Sequence, residues 1–283
     1  MLLIDKPAGP TSHDVVRTVR RSLGMKRVGH AGTLDPAASG LLVVLAGRAT
    51  RLARFIGMLA KRYTGTIRFG FETVTDDADG EPTLRDESWR GRTPGEIEAA
   101  LARVGAQPTQ LPPAVSAKKV EGERAYRMVR RGEEPGLRSV EVTIHELRLS
   151  AFDPSAGEAV IIVDCSTGTY VRAIARDVGR ALGTRAHLAA LRRTAIGAWR
   201  VEDAEPLNAI RDATLPLRPM SEAVAHLPAI EVGEAGGKLF RHGRKFESSE
   251  AHQGFVAVFE RGELLGVGEF REGLYSPVVG LAS

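Results

Sequence analysis

GHAGTLDPAASGLLVVLA, residues 29 to 46, is the stretch on which the fold turns. Its second half, Leu41 to Ala46, is a short, wholly apolar run bounded by Gly40 and Gly47, the pattern of a strand buried on both faces. Its first half sets one carboxylate, Asp35, between Leu34 and Pro36 among small and apolar residues. Asp before Pro commonly opens a turn. A loop anchored to a buried strand also suits a functional group, because it delivers Asp35 to the edge of a sheet where rigid elements can position it. The surrounding chain has to decide between the two readings.

Working outward, TSHDVVRTVRRSLG reads as a helix capped by Thr11 or Ser12. Val15, Val16, Val19 and Leu23 form one stripe, and Gly24 ends it. KRYTGTIRFG, residues 61 to 70, alternates Tyr63, Ile67 and Phe69 against Thr64, Thr66 and Arg68, a strand with one face in the core. Thr93, Pro94 and Glu96 form a capping box that opens a helix through Val104. Strands are expected at Val140 to Leu149, with a bulge at His145-Glu146, and at Ala159 to Asp164. The helix from Tyr170 to Leu182 buries Val171, Ile174, Ala175, Val178 and Leu182. Its Arg172, Arg176 and Arg180 recur on another face and are expected to present their guanidinium groups. From residue 229 the chain reads as a small β unit, with two strands around Arg261-Gly262 and a third in YSPVVGL.

Apolar residues make up 43% and charged residues 26% of the 283, which places the chain among soluble globular proteins. No window is apolar enough for a membrane span and the N-terminus does not read as a signal peptide, so a cytoplasmic location is expected. One cysteine, Cys165, excludes an internal disulfide, and seven scattered histidines make a metal site unexpected. The charge is clustered. Residues 172 to 193 hold six arginines against Asp177, a net +5, and residues 118 to 138 hold seven basic residues against four acids, a net +3. Such clusters point to a polyanion such as nucleic acid, or else to solvated helix faces. GGKL at 236 to 239 lacks the first glycine and the Ser or Thr of a phosphate loop, and TDDADGE fits a calcium loop poorly.

The Asp35 segment resembles the catalytic motif of the bacterial tRNA pseudouridine 55 synthase family (TruB). DKPAGPTSHDVV (5 to 16), KRYTGTIRFG (61 to 70), TDDADG (75 to 80), QLPPAVSAKKVEGERAY (110 to 126) and CSTGTYVRAIARDVG (165 to 179) match that family in order. The resemblance implies an α+β fold: a mixed-sheet catalytic domain over 1–205 with a thumb-like insertion at about 114–138, a linker at 206–228, and a small C-terminal β-rich, PUA-like domain over 229–283. It implies isomerisation of a uridine in the tRNA T loop. The base is flipped out, the bond from N1 to the ribose is broken, and the base rejoins through C5.

By the same resemblance Asp35 is the essential carboxylate, attacking C1′ or removing the 2′ proton. Tyr63 stacks on the base and is a candidate for proton transfer at C5, Arg172 pairs with Asp35, and His30 helps extrude the base. Lys6, Gly32, Thr33, Lys61, Lys118, Tyr170, Arg176 and Arg180 are expected to contact the RNA. No cofactor, metal or guide RNA is expected, and the protein is expected to act as a monomer. The chemistry agrees: a neighbouring arginine favours an ionised carboxylate. A glycosidase needs a second carboxyl to protonate its leaving group and direct water, whereas uracil departs as a delocalised anion. The rival readings are a non-catalytic tRNA-binding or tRNA-folding protein of the same fold, and hydrolysis of the same bond.

Overall fold

The computed structural model describes residues 1–116, 119–120, 123–133, 135–211, 216–248 and 252–281. Among them the larger, N-terminal part is built on a mixed nine-stranded sheet, the α+β architecture expected. Its principal elements are β1 (Leu2–Lys6), α1 (Ser12–Leu23), β2 (Val28–Ala31), β3 (Ser39–Ala46), β4 (Lys61–Phe69), α2 (Pro94–Gly105), β5 (Ile144–Asp153), β6 (Glu158–Cys165), α3 (Val171–Ala181) and β7 (Ala186–Ile196). The main strand order is β5-β6-β4-β7-β3-β1, with Glu205–Pro206 beyond β1 and β2 pairing with β3. Strand β7 joins two halves: it runs antiparallel to β4 along most of its length and parallel to β3 through Arg192–Ser39 and Arg193–Gly40.

The apolar run of the opening stretch is buried throughout, from Leu41 to Leu45 at 0% exposure. Alternation along β3 divides it between two cores. Leu42 and Val44 face α1 with Val15, Val16 and Val19, whereas Leu41, Val43 and Leu45 join Phe55, Ile56 and Val224 on the other side. Thr11 caps α1 in a reciprocal box with Asp14, and Gly24 closes it in the left-handed region. The Thr93–Glu96 box opens α2 as anticipated.

Three expectations change. Because β3 is interior, bordered by β1, β2 and β7, the Asp35 loop rises from the end of a central strand and not from the sheet edge. The strand expected over 140–149 is two strands. Val140–Glu141 pairs with Thr109–Gln110, and β5 starts at Ile144, with the anticipated register shift at His145 and a second at Ser150. The third change concerns α3. Arg172 and Arg176 are buried, at 8% and 6% exposure, and present no guanidinium to solvent.

The C-terminal sheet comprises β8 (Ala229–Glu231), β9 (Gly254–Glu260), β10 (Glu263–Arg271) and β11 (Leu274–Gly280), with helix α4 (Glu234–Arg241) after β8. The Arg261-Gly262 turn has positive φ at both residues, which suits a tight hairpin. One face of this sheet packs Phe240 from α4 with Phe246 and Tyr275. On the other side Phe255, Ala257, Val267 and Leu281 join the core that holds Leu45 and Phe55. Within 206–228, read as a linker, Ile210, Ala223 and Val224 are fully buried.

Gly40 has φ 103°, and a Cβ there would collide with the backbone carbonyl of Arg193. Gly40→Ala must therefore part β3 from β7. It should destabilise the protein by more than about 1 kcal/mol, measured as a lowered urea midpoint at unchanged slope.

Candidate functional site

Asp35 stands exposed between Leu34 and Pro36, both ends of its loop being pinned by buried cations. Lys6 is fully buried. Its Nζ donates to the carbonyls of Pro7, Pro10 and Pro36 at 2.9, 2.8 and 3.2 Å. Arg193, at 1% exposure, donates from Nη2 to the Gly32 carbonyl (3.0 Å), from Nη1 to that of Thr33 (3.3 Å) and from Nε to that of Leu41 (2.8 Å). These carbonyls lie before and after Asp35 in the chain, so one guanidinium brackets it. Ser12 adds a third tie, accepting from the Leu34 N–H and donating to its carbonyl. The positive φ of Gly32, 87°, allows the turn that brings this backbone close to Arg193.

Arg172, from the first turn of α3, reaches Asp35 with Nε at 3.2 Å and Asp77 with Nη1 at 3.3 Å. The same Nη1 donates to the carbonyls of Thr75 (2.9 Å) and Val115 (3.1 Å). The TDDADG segment, rejected as a cation loop, thus receives arginine. Asp76 takes Arg176 at 2.7 Å, and burial still pushes its carboxyl above the ordinary range against the pull of that guanidinium. No side chain caps α3 at Tyr170. Instead Gln110 accepts from the Tyr170 N–H and donates to its carbonyl, tying the helix start to the strand that leads into the insertion.

These elements enclose a cavity of about 380 Å³, within the range of small-ligand pockets. Asp35, Arg172, Tyr63, Lys61, Gly32, Thr33 and Tyr170 line it together, with Arg193 and Leu191 from β7. Burial raises the Tyr63 phenol above its usual value, and the charge of Arg193 opposes that rise. Lys61 donates to the carbonyls of Gly57 (2.6 Å) and Leu59 (2.7 Å), and burial, reinforced by Arg193, lowers its ammonium to about 8.

Four residues expected to contact the RNA do not line the cavity, and Arg180 among them stays exposed. Lys6 is a buried loop anchor, as described. Arg176 is held by Asp76, by Asp177 at 2.9 Å and by the Leu111 carbonyl. Arg180 makes a two-pronged bond with Glu72 at 2.8 Å on each arm. His30 does not line the cavity. It sits edge-on to His13, centroids 5.5 Å apart, its buried Nδ1 has no protein partner among the described residues, and burial lowers its pKa. Lys118 lies outside the described residues.

The positive cluster at 172–193 is also largely neutralised, by acids distant in sequence. Arg185 shares Glu72 with Arg180, and Arg192 grips Asp5 at 2.7 and 3.0 Å. Counting charge in a window cannot see such partners. Sequence reasoning missed the roles of Arg193 and Asp77. The signal for Arg193 lay in adjacent arginines inside a strand, where alternation sends one of the two inward. Among the described residues no group of His, Cys, Asp and Glu is placed to hold a metal, and no helix is long and apolar enough to cross a membrane.

Lys61 provides a direct check on this electrostatic picture. Its ammonium should titrate near pH 8, before the exposed lysines, in side-chain NMR. Because its folded value of about 8 lies below the ordinary lysine value of 10.5, the unfolded chain holds more protons in between. Its contribution to stability should therefore rise with pH across that window, and Lys61→Met should abolish that slope.

Comparison with known proteins matches the chain almost end to end. The family model described as TruB family pseudouridylate synthase (N terminal domain) covers residues 20–171. A tRNA pseudouridylate synthase B C-terminal domain covers 172–225, and a Pseudouridine synthase II TruB C-terminal region covers 228–281. The tRNA pseudouridine synthase B of Thermobifida fusca (strain YX) is 43% identical, over 99% of this chain and 97% of that protein. That of Arthrobacter sp. (strain FB24) is 45% identical over 87% and 81%. Among solved structures, a chain of a Cbf5-Nop10-Gar1 complex superposes with a TM-score of 0.71 at 23% identity, covering 98% of this chain and 83% of that one. A chain of an H/ACA RNP bound to a substrate RNA containing 2'-deoxyuridine does so with a TM-score of 0.71 at 22% identity, covering 99% and 83%. These structural likenesses carry the fold.

Proposed function

The chain belongs to the TruB family of pseudouridylate synthases, and on that premise we propose that it converts uridine 55 in the T loop of tRNA to pseudouridine, with Asp35 as the essential carboxylate. The observation that carries the reading is the Arg172–Asp35 bridge at the mouth of a cavity walled by Tyr63. Arg172 holds the Asp35 side chain beside the space a flipped nucleotide would fill. From there the carboxylate attacks C1′ or removes the 2′ proton. Either route breaks the bond from C1′ to N1 and expels uracil as an anion. The base turns within the cavity against Tyr63, bonds to C1′ through C5, and loses the C5 proton. Neither route uses a second carboxyl, which accords with the single carboxylate of the Asp35 loop.

Flipping the uridine out of a folded loop costs about a few kcal/mol, least where stacking is already broken. Phosphate contacts offset that cost and make binding salt-dependent. The insertion at about 114–138, including Lys118, is the proposed grip on the T arm, and His30 the proposed aid to extrusion. In the C-terminal unit Lys238, Arg244 and Lys245 are exposed. They are proposed to contact the acceptor end, in the manner of a PUA-like domain. The protein is proposed to work in the cytoplasm as a monomer, without a guide RNA, metal or other cofactor.

The deciding experiment is tritium release from a T-arm stem-loop labelled at uridine C5, with purified protein and no added RNA or metal. Wild type should release tritium without free uracil. Asp35→Asn should bind the stem-loop with unchanged affinity and lose about 10³-fold or more in turnover. Tight, salt-sensitive binding with uridine left intact would assign the chain to the non-catalytic RNA binders, and free uracil would assign it to hydrolysis. For the C-terminal unit, Arg244→Ala with Lys245→Ala should weaken binding of full-length tRNA several-fold and flatten its salt dependence, leaving the stem-loop unaffected.

A further inference from the structure

Arg193, like Lys61, is a buried cation of the cavity wall that meets no carboxylate among the described residues. Burying a guanidinium in this way is costly, and such a group is stable only when its donors are matched. A guanidinium has five N–H groups. Three are used on the carbonyls around Asp35. Arg193 also lies directly across from Tyr63 in the pairing of β7 with β4, and both residues line the same cavity. An arginine offers only donors, so in a contact between the two side chains the Tyr63 oxygen is the acceptor. Lys61, on the same strand as Tyr63, is committed to two carbonyls of its own chain segment, and Arg172 to two carboxylates.

We propose that Arg193 is a positioning residue that acts through Tyr63: it fixes the phenol oxygen in the cavity and supplies the positive charge against which that oxygen can work as a base toward the turned uracil. The proposal rests on the isomerase reading above. In the step concerned the phenol has first lost its proton to solvent water. The C5–H bond then breaks, its electron pair returns to the uracil ring, and the proton goes to the phenolate oxygen. A buried phenolate without a cation beside it is disfavoured, and Arg193 removes that obstacle without a carboxylate to quench its charge.

Arg193→Lys keeps the charge and loses the fork, and Arg193→Met loses both. Stem-loop affinity should stay within about threefold for each, whereas single-turnover conversion should fall about 10-fold for Lys and about 10³-fold for Met. The Tyr63 phenol, identified by subtracting the ultraviolet titration of Tyr63→Phe, should titrate at least about one pH unit higher in Arg193→Met. Adding Arg193→Lys to Tyr63→Phe should cost little beyond Tyr63→Phe alone. A Tyr63 titration unmoved by Arg193→Met, or fully multiplicative losses in the double variant, would overturn the proposal and leave Arg193 as a loop anchor. Should the Arg193 variants fail to fold, the Arg193 side-chain nitrogen resonances of wild type and Tyr63→Phe test the same contact. They should shift when the phenol oxygen is removed, and an unchanged spectrum rejects the contact. Wild-type conversion in the same assays separates the outcomes, since its absence defeats the isomerase reading and not the Arg193–Tyr63 contact.

Discussion

Arg172 gathers acceptors from three separate parts of the chain: the Asp35 loop, the turn at Thr75 to Asp77, and the start of the insertion at Val115. None of these segments is a regular element able to hold its own position. A planar, permanently charged fork can serve several acceptors at once in fixed geometry, which a flexible ammonium cannot. Burial at 8% exposure limits the competition from water for those contacts. The site's shape therefore depends on one side chain projecting from the first turn of α3, and on Gln110 holding the helix start in place.

The electrostatic design has two layers. Outer arginines, at 176, 180, 185 and 192, are matched by carboxylates and act as ties between strands, helix and turn. The inner cations, Lys6, Lys61 and Arg193, are matched by backbone carbonyls, which satisfy their donors without cancelling their charge. The inner layer leaves a positive field around the cavity whose exposed carboxylate is Asp35. A field of this sign suits chemistry in which negative charge moves from the protein to a departing base.

Much of the scaffold was legible because its signals are local. The apolar run of β3, the Thr11 and Thr93 caps, the bulge at His145 and the Arg261-Gly262 turn each follow from a few adjacent residues. Asp35, Tyr63 and Arg172 were placed through resemblance, and the structure brings all three to one cavity. What was not legible was pairing at a distance. Arg172 to Arg193 read as a free basic face because Asp5, Glu72, Asp76 and Asp77 lie about a hundred residues or more away in the chain. Lys6 was misplaced for a related reason: three carbonyl partners, two of them of prolines beside it in sequence, leave no mark in composition.

The position of β7 bears on how the chain is made. Residues up to Ala46 form one half of the main sheet and those from Lys61 to Cys165 the other, and the strand that unites them comes only at Ala186–Ile196. During synthesis from the N-terminus, β3 and β4 must wait with open edges until about 140 residues after β3 have been made, with Leu41 to Leu45 still lacking cover that the last strands provide. Such an edge is a template for mispairing, and pairings of this sequence separation form slowly. The arrangement that lets one strand carry the cavity wall thus leaves the nascent polypeptide with unpaired sheet edges until about two thirds of it has been made.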